Sequence, residues 1–398
     1  MSPSESVQAL VLHGAKDLRV ETRPEPTPRK GEVQIAIKAT GLCGSDLHYY
    51  QHGRNGSFVI QAPLVLGHEA SGVVTAVPDT QNGATTGAGP SAGLKVGDRV
   101  ALEVGIPCRS CSLCTTGRYN LCPQMSFRSS AKTFPHADGT LQTVISHPAN
   151  MCHELPEHVT FEQGALVEPL AVSLHGINRS QSAGSSAGVP LVGSTALVLG
   201  AGAVGMLTAA ALAVAGVSKI VIADIDAPRL KIAAGLASGK YKLKTFLLPR
   251  KAPAPTIEET LAGAQELATE VCKSADLQSG FDRVFECTGV QSCVQLGIFA
   301  ATAGGKLVLV GMGTPTQTLP LGAAALREVD IIGVFRYANC YPAAIALFAS
   351  GQLDGVVEDL VTHRVALADG ERAFRLAANQ PKDGEDEGRV PVKVVITS

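Results

Sequence analysis

The sequence predicts an α/β protein of two domains, a doubly wound parallel sheet joined to a β-rich unit. Three observations carry that prediction. The chain of 398 residues is too long for one typical hydrophobic core. Its first third holds short apolar strand-like runs separated by Gly/Pro turns. Its middle alternates such runs with Ala-rich helical stretches, the pattern of a parallel sheet covered by helices.

In the first third the strand signals are "QALVLHG", "EVQIAIKAT", "SGVVTAV" and "DRVALEVG", punctuated by "PEPTPRKG" and "LKVGD". Many short strands with such turns fit a barrel or sandwich-like unit. The middle opens on "TALVLGAGAVG", a strand running into a Gly-rich turn, then the helical "MLTAAALAVAG", the strand "SKIVIADID" and the helix "APRLKIAAGL". "TFLL", "FDRVFECTG", "GGKLVLVGMG" and "VDIIGVF" supply further strands, and Lys251 to Gly280 is expected to hold one helix and loops. The final stretch has a helix near "YPAAIALFAS" and strands at "VTHRV" and "VPVKVVITS", so the chain is expected to re-enter the first domain. The expected divisions are 1–168, 169–334 and 335–398. Two low-complexity stretches, "TQNGATTGAGPSAG" from Thr80 and "SQSAGSSAG" from Ser180, read as flexible surface insertions.

Hydrophobic residues at 45% and charged residues at 17% mark a globular chain. No apolar run reaches the ~18 residues of a membrane span. A net charge of −2 without a basic stripe argues against nucleic-acid or membrane partners. "MSPSESVQAL" lacks the basic and apolar regions of a signal peptide and "ITS" is not a peroxisomal signal, so a cytoplasmic protein with reduced thiols is expected.

Gly200, Gly202 and Gly205 form G-x-G-x-x-G directly after "TALVL", with Val204 inside the motif. The pattern is weak alone in a Gly-rich chain. Here a strand precedes it, a helix follows, and a second strand ends in Asp224, nineteen residues after Gly205. That context fits dinucleotide binding. The glycines permit a tight turn, close approach of a pyrophosphate and close helix packing, and the helix N-terminus offers N–H donors. Asp224 can accept from ribose hydroxyls and would repel a 2′-phosphate, so NAD is favoured over NADP. Arg229 tempers that preference, because an arginine nearby can neutralise the carboxylate or bind phosphate.

Of ten cysteines, Cys108, Cys111, Cys114 and Cys122 read C-x2-C-x2-C-x7-C. Four thiolates so spaced suit a closed tetrahedral Zn2+ site of structural type rather than disulfides. Cys43 in "GLCGSDLHYY", His68 and Glu69 in "GHEA", and Glu168 in "VEPLAVSLHG" are more ambiguous. Each by itself keeps the ordinary reading: a small buried thiol for Cys43, a solvated turn for His68 and Glu69, a loop or helix start for Glu168.

Taken in order, "GLCGSDLHYY", "GHEASGVV", "VGDRVALEVGIPC", the cysteine cluster, "EPLAVSLHG" and the glycine motif resemble the zinc-dependent medium-chain dehydrogenases. "CGSDLHYYQHG", "GRYNLC", "GALVEPLAVSLHG", "FECTGV" and "FRYANCYP" are most similar to the polyol branch of sorbitol, xylitol and L-arabinitol dehydrogenases. The resemblance covers nearly the whole chain. It implies a GroES-like catalytic domain with a Rossmann NAD-binding domain, and a catalytic zinc lined by Cys43, His68 and Glu69. Glu168 would approach that zinc directly or through water, in a place where many alcohol dehydrogenases of the family have a cysteine. Ser45 and His48 match the proton-relay positions; for His48 a solvated turn is an equal reading. Tyr49, Phe127, Arg336 and Tyr337 would line a polyol pocket in the interdomain cleft. A homo-oligomer, tetramer or dimer, is expected.

The implied reaction removes a hydride from a secondary alcohol carbon of a polyol such as sorbitol and passes it to NAD. Xylitol and L-arabinitol are the alternative substrates. A non-catalytic zinc- and NAD-binding protein is the rival of another class; the full set Cys43, Ser45, His68, Glu69 and Glu168 speaks against it. The chain departs from some animal members of the branch by keeping all four clustered cysteines, and from the family core by its two low-complexity insertions.

Overall fold

The structure, a computed structural model, describes residues 6–78, 80–81, 84–85, 93–182, 190–236, 243–250, 254–382, 384 and 388–398. The chain divides into two compact units, Met1–Glu168 with Tyr341–Ser398, and Pro169–Cys340. Re-entry into the first unit thus falls at Tyr341, later than the expected residue 335, and Arg336 and Tyr337 belong to the second unit. The reason is local. Val334 N–H donates to Leu309 O at 3.0 Å and Asn178 Nδ2 reaches Cys340 Sγ at 3.9 Å, so this stretch stays tied to the second unit.

In the first unit one sheet runs in the order Cys152–Glu154, Arg99–Leu102, Glu69–Ala76, Glu32–Gly41, Lys393–Thr397, Val361–Ala366, with Val144–Pro148 also pairing with Glu32–Gly41. "EVQIAIKAT" alternates as a half-buried strand must. Val33, Ile35 and Ile37 are buried while Gln34, Ala36 and Lys38 are not. The buried set packs with Val74, Val100, Leu102 and Ile145. A second cluster joins the hairpin Ser6–Gly14/Asp17–Pro24 to Leu64, Leu66 and Phe374. The chain's last strand, Lys393–Thr397, lies antiparallel beside Glu32–Gly41, which also pairs with Glu69–Ala76. This insertion brings Lys393 to Glu69.

The second unit holds a six-stranded sheet, all of whose pairs are parallel. Its order is Leu243–Leu247, Lys219–Asp224, Thr195–Leu199, Phe281–Glu286, Ala301–Leu309, Asp330–Gly333. That is the doubly wound order 3-2-1-4-5-6, with its switch point at the C-terminal end of Thr195–Leu199. Ala196 to Leu199 are fully buried, as expected of a strand covered on both faces. The helix expected between Lys251 and Gly280 is Ile257–Ser274, started by a Thr256/Glu259 capping box.

Most of the two low-complexity stretches lies outside the described residues. Thr80–Gln81 pairs with Ala84–Thr85, and the helix Phe161–Ser182 runs into the second stretch. Among the described residues no helix is long and apolar enough to cross a membrane.

Candidate functional site

Cys43 is the N-cap of the helix Gly44–His52, and Asp46, at the third helical position, reaches back to the Cys43 N–H at 3.1 Å. Asp46 is fully buried and its Oδ1 also accepts from Gly67 N–H at 3.1 Å and Ser129 Oγ–H at 2.7 Å. Gly67 has φ +93°, and a Cβ there would press on Leu141 and Thr40, so glycine is required at the turn that delivers His68 to the site. Cys43, His68 and Glu69 each offer a ligand atom, and these atoms lie within 4.8 Å of one another.

His68 Nδ1 stands 3.3 Å from Asp46 Oδ1, close enough for charge attraction but without an aligned hydrogen bond. Its Nε2 faces Ser45 Oγ at 3.3 Å. A carboxylate behind one imidazole nitrogen keeps the proton on that side and leaves the other for a metal. Burial disfavours the His68 cation, yet the Asp46 carboxylate and Cys43 hold its pKa well above the ordinary 6.5. Burial likewise opposes the Asp46 anion, and the His68 charge and the donated hydrogen bonds keep its pKa below the ordinary value. The pocket is therefore arranged for positive charge, and its S, N and O donors suit Zn2+.

Glu69 is also engaged from the other side. Lys393 Nζ donates to Glu69 Oε1 at 2.8 Å, to Oε2 at 2.7 Å and to Leu42 O at 3.0 Å, all buried. Burial opposes the Lys393 cation, but Glu69, Cys43 and, more weakly, Glu168 raise its pKa above the ordinary 10.5. Glu168, on the helix Phe161–Ser182, is buried and stands outside the Cys43–His68–Glu69 cluster.

Cys108, Cys111, Cys114 and Cys122 form a separate four-sulfur group, also within 4.8 Å. Sulfur separations of 3.9 Å (108–114), 3.5 Å (111–114) and 3.9 Å (111–122) match the ~3.8 Å edge of a tetrahedron with Zn–S of ~2.3 Å. Backbone N–H groups of Cys108 and Cys111 point at Cys122 and Cys108 sulfurs at 3.4 Å. Hydrogen bonds from Ser110 and Cys111 lower the Cys108 thiol to about 6. No disulfide joins any of the ten cysteines.

In the second unit Gly202 caps the helix Ala203–Val214 without a side-chain cap, leaving first-turn N–H groups for an anion. A Cβ on Gly205 would collide with Gly200 O, whereas one on Gly202 would meet nothing within 4 Å. The motif thus combines one obligatory close contact with one open approach, as a pyrophosphate cradle requires. Asp224 is held at the strand end by Ala201 N–H at 2.6 Å and Asp226 N–H at 2.9 Å. The Arg229 N–H donates to Asp226 Oδ1 at 3.1 Å, and the Val204 carbonyl accepts from Thr208 Oγ1 at 2.7 Å.

Of the expected pocket residues, Phe127 lies with its ring 5.6 Å from the His68 ring. Tyr49, expected in the pocket, is buried with a core cluster of the first unit, and its phenol oxygen accepts from Ala131 N–H at 3.0 Å. Its position follows from the buried Asp46–Tyr49–Tyr50 stripe of its helix. His48 is exposed on that helix, its ring 6.1 Å from His52. Arg336 has φ +54° with its guanidinium 4.7 Å over Phe335, and Tyr337 is buried. Asp46, Ser129 and Lys393 were not anticipated. Asp46 has a sequence signal, an acidic residue three after the N-cap. Lys393, a lone cation in the apolar run "VKVVI", has a weaker one, and Ser129 has none.

Comparison with known proteins places the chain in a family. Residues 29–157 match the alcohol dehydrogenase GroES-like domain and residues 203–350 the zinc-binding dehydrogenase domain. Sorbitol dehydrogenase of Gallus gallus is 42% identical over 92% of this chain and 92% of its own length. The Homo sapiens sorbitol dehydrogenase is 39% identical over 92% and 91%. Among solved structures, L-idonate 5-dehydrogenase from Escherichia coli superposes with a TM-score of 0.79 at 26% identity, covering 99% of each chain. The 2R,3R-butanediol dehydrogenase from Bacillus subtilis gives 0.77 at 27%, covering 99% and 100%. Fold and site together define a zinc-dependent dehydrogenase, an enzyme with a GroES-like domain and a Rossmann domain that uses Zn2+ and NAD. Within that class the chain belongs to the medium-chain dehydrogenase family, in its polyol branch.

Proposed function

We propose that this enzyme oxidises a secondary hydroxyl of a polyol, sorbitol to fructose, by hydride transfer to NAD. The observation that carries the reading is the Cys43–His68–Glu69 donor cluster, oriented by Asp46 and faced by Ser45, in a chain 42% identical to a sorbitol dehydrogenase. Cys43, His68 and Glu69 would hold the catalytic zinc, with Glu168 nearby to bind it directly or through water. Zinc supplies the Lewis acidity that lowers the pKa of the substrate hydroxyl. Ser45 accepts the hydroxyl proton, and His48, exposed on the same helix, releases it to solvent. Cys108, Cys111, Cys114 and Cys122 would hold the second, structural zinc.

Gly200, Gly202, Val204 and Gly205 cradle the NAD pyrophosphate, and Asp224 accepts from the adenosine ribose. Arg229, on the following helix, sits close enough in sequence to modulate that preference. Phe127 bounds the substrate pocket beside His68, and family likeness gives Arg336 and Tyr337 a polyol-binding role. Tyr49 is assigned to the pocket by family likeness alone; its phenol oxygen accepts from Ala131 N–H, which leaves the O–H as a donor. Small-molecule turnover in the cytoplasm by a homo-oligomer, tetramer or dimer, completes the reading.

The test is NADH formation by purified protein offered sorbitol, xylitol, L-arabinitol or ethanol with NAD or NADP, before and after chelation. Chelator-sensitive turnover with the highest kcat/KM for sorbitol and NAD is expected. A higher value for xylitol or L-arabinitol would reassign the substrate. No polyol turnover by protein with metal at both sites would leave a binding protein.

A further inference from the structure

We infer that the four-cysteine lobe sets the orientation of the catalytic ligand His68, with Tyr119 as the positioning residue that links them. This rests on the proposed reading of Cys43, His68 and Glu69 as a metal site. Tyr119 lies in the single helical turn Tyr119–Leu121 between Cys114 and Cys122. Its hydroxyl leaves the lobe and donates to Glu103 Oε1 at 2.6 Å. Glu103 is buried, and its Oε2 meets His153 Nε2 at 2.8 Å.

From Glu103 the connection continues through groups whose directions are fixed by chemistry. The Glu103 carbonyl accepts from His147 Nε2 at 3.1 Å, and Arg128 Nε donates to His147 Nδ1 at 3.0 Å. An arginine can only donate, so His147 is the neutral tautomer with its proton on Nε2. Its full burial beside Arg128, which depresses its pKa well below 6.5, agrees. Arg128 is further fixed by bonds to the carbonyls of Ser146 and Asp138, and its own N–H donates to Val104 O at 3.2 Å.

Arg128 sits between the two residues that touch His68 and its support. Phe127 packs on the His68 ring at 5.6 Å, and Ser129 Oγ donates to Asp46 Oδ1 at 2.7 Å, the same oxygen that faces His68 Nδ1. Ser129 has φ +61°, a left-handed conformation uncommon for serine. It is maintained because its N–H is held by Ala137 O at 2.9 Å and its hydroxyl by Asp46. The segment Phe127–Ser129 is thus gripped by the Glu103–His147–Arg128 network on one side and grips the His68 support on the other. A lobe serving only to tie off a loop has no need of this buried polar route. An apolar contact would close the loop without the cost of desolvating a carboxylate, two imidazoles and a guanidinium.

The test uses full-length protein with zinc retained by the four cysteines and Co2+ titrated into the catalytic site, in wild type, Tyr119→Phe, Ser129→Ala and the double variant. Tyr119→Phe keeps the ring and all four cysteines. Expected are an about tenfold loss of catalytic Co2+ affinity, the low end of the effect of outer-shell changes, and a shifted visible Co2+ spectrum. The double variant should lose less than the product of the two single effects, because both act along one route. Unchanged Co2+ affinity and spectrum in Tyr119→Phe, whatever its Tm, would overturn the inference and leave the lobe a stability module. Failure of wild type to bind Co2+ outside the four cysteines would instead overturn the reading of the catalytic site.

Discussion

Replacing Lys393 by methionine tests the buried charge pair that holds Glu69. Methionine keeps the length and bulk of the stem but removes the ammonium that binds Glu69 at 2.7 and 2.8 Å and Leu42 O at 3.0 Å. Lys393 is 3% and Glu69 1% exposed, so water does not take over as donor. Stranding one member of a buried pair costs about 3–5 kcal/mol, and at roughly 2–4 °C per kcal/mol for a unit of this size the Tm should fall by about 6–20 °C. The carboxylate can instead turn to a cation at the Cys43–His68 cluster, so the loss should be smaller in zinc-loaded than in chelator-treated protein. Adding Glu69→Gln should recover most of the stability, because both members of the pair are then gone. The pH sign is fixed by the raised Lys393 pKa. Its contribution is complete below the ordinary 10.5 and fades as pH rises through the higher folded value, so wild type, and not the variant, should weaken there. Denaturant unfolding with and without zinc is the assay. A Lys393→Met cost under about 1 kcal/mol in stripped protein, where a buried orphan charge should cost several, would refute the argument that this pair positions Glu69.

Other outcomes follow from the same geometry. Asp46→Asn removes the charge behind His68 and should weaken catalytic-site metal binding by about 10–100-fold, measured by competition with a chelating dye. Gly205→Ala forces a Cβ against Gly200 O and should destabilise the second unit by on the order of 3 kcal/mol, seen in its unfolding. Gly202→Val has open space within 4 Å of the new Cβ; it should keep the wild-type Tm yet abolish NAD binding measured calorimetrically. Asp224→Ser removes the carboxylate that would repel a 2′-phosphate and should narrow the preference for NAD over NADP in paired kcat/KM measurements.

The features legible in the sequence are those made by short stretches of chain. The period-two pattern of "EVQIAIKAT" marked a half-buried strand, and the unbroken apolar "TALVL" before a glycine turn marked a parallel one. The four cysteines span fifteen residues, so their spacing alone nearly dictates a common centre. The Cys43–His68–Glu69 cluster was readable only through family likeness, since its members are far apart and each has an ordinary alternative role. Likeness gives Tyr49 a position along the chain but not its burial. Which face of a helix is buried is settled by packing, and here Asp46, Tyr49 and Tyr50 share the inner one.

By itself, then, the sequence determined what local periodicity, turn chemistry and residue spacing can determine: two fold units, a glycine turn between strand and helix, and a cluster of four cysteines. The tertiary structure decided the partners. Lys393 meets Glu69 only because the last strand inserts beside Glu32–Gly41, and Ser129 meets Asp46 only because a strained turn is packed against the Cys43 helix. Burial removes water as an alternative partner, so these long-range pairings fix the surroundings of His68 and Glu69, and no local pattern encodes them.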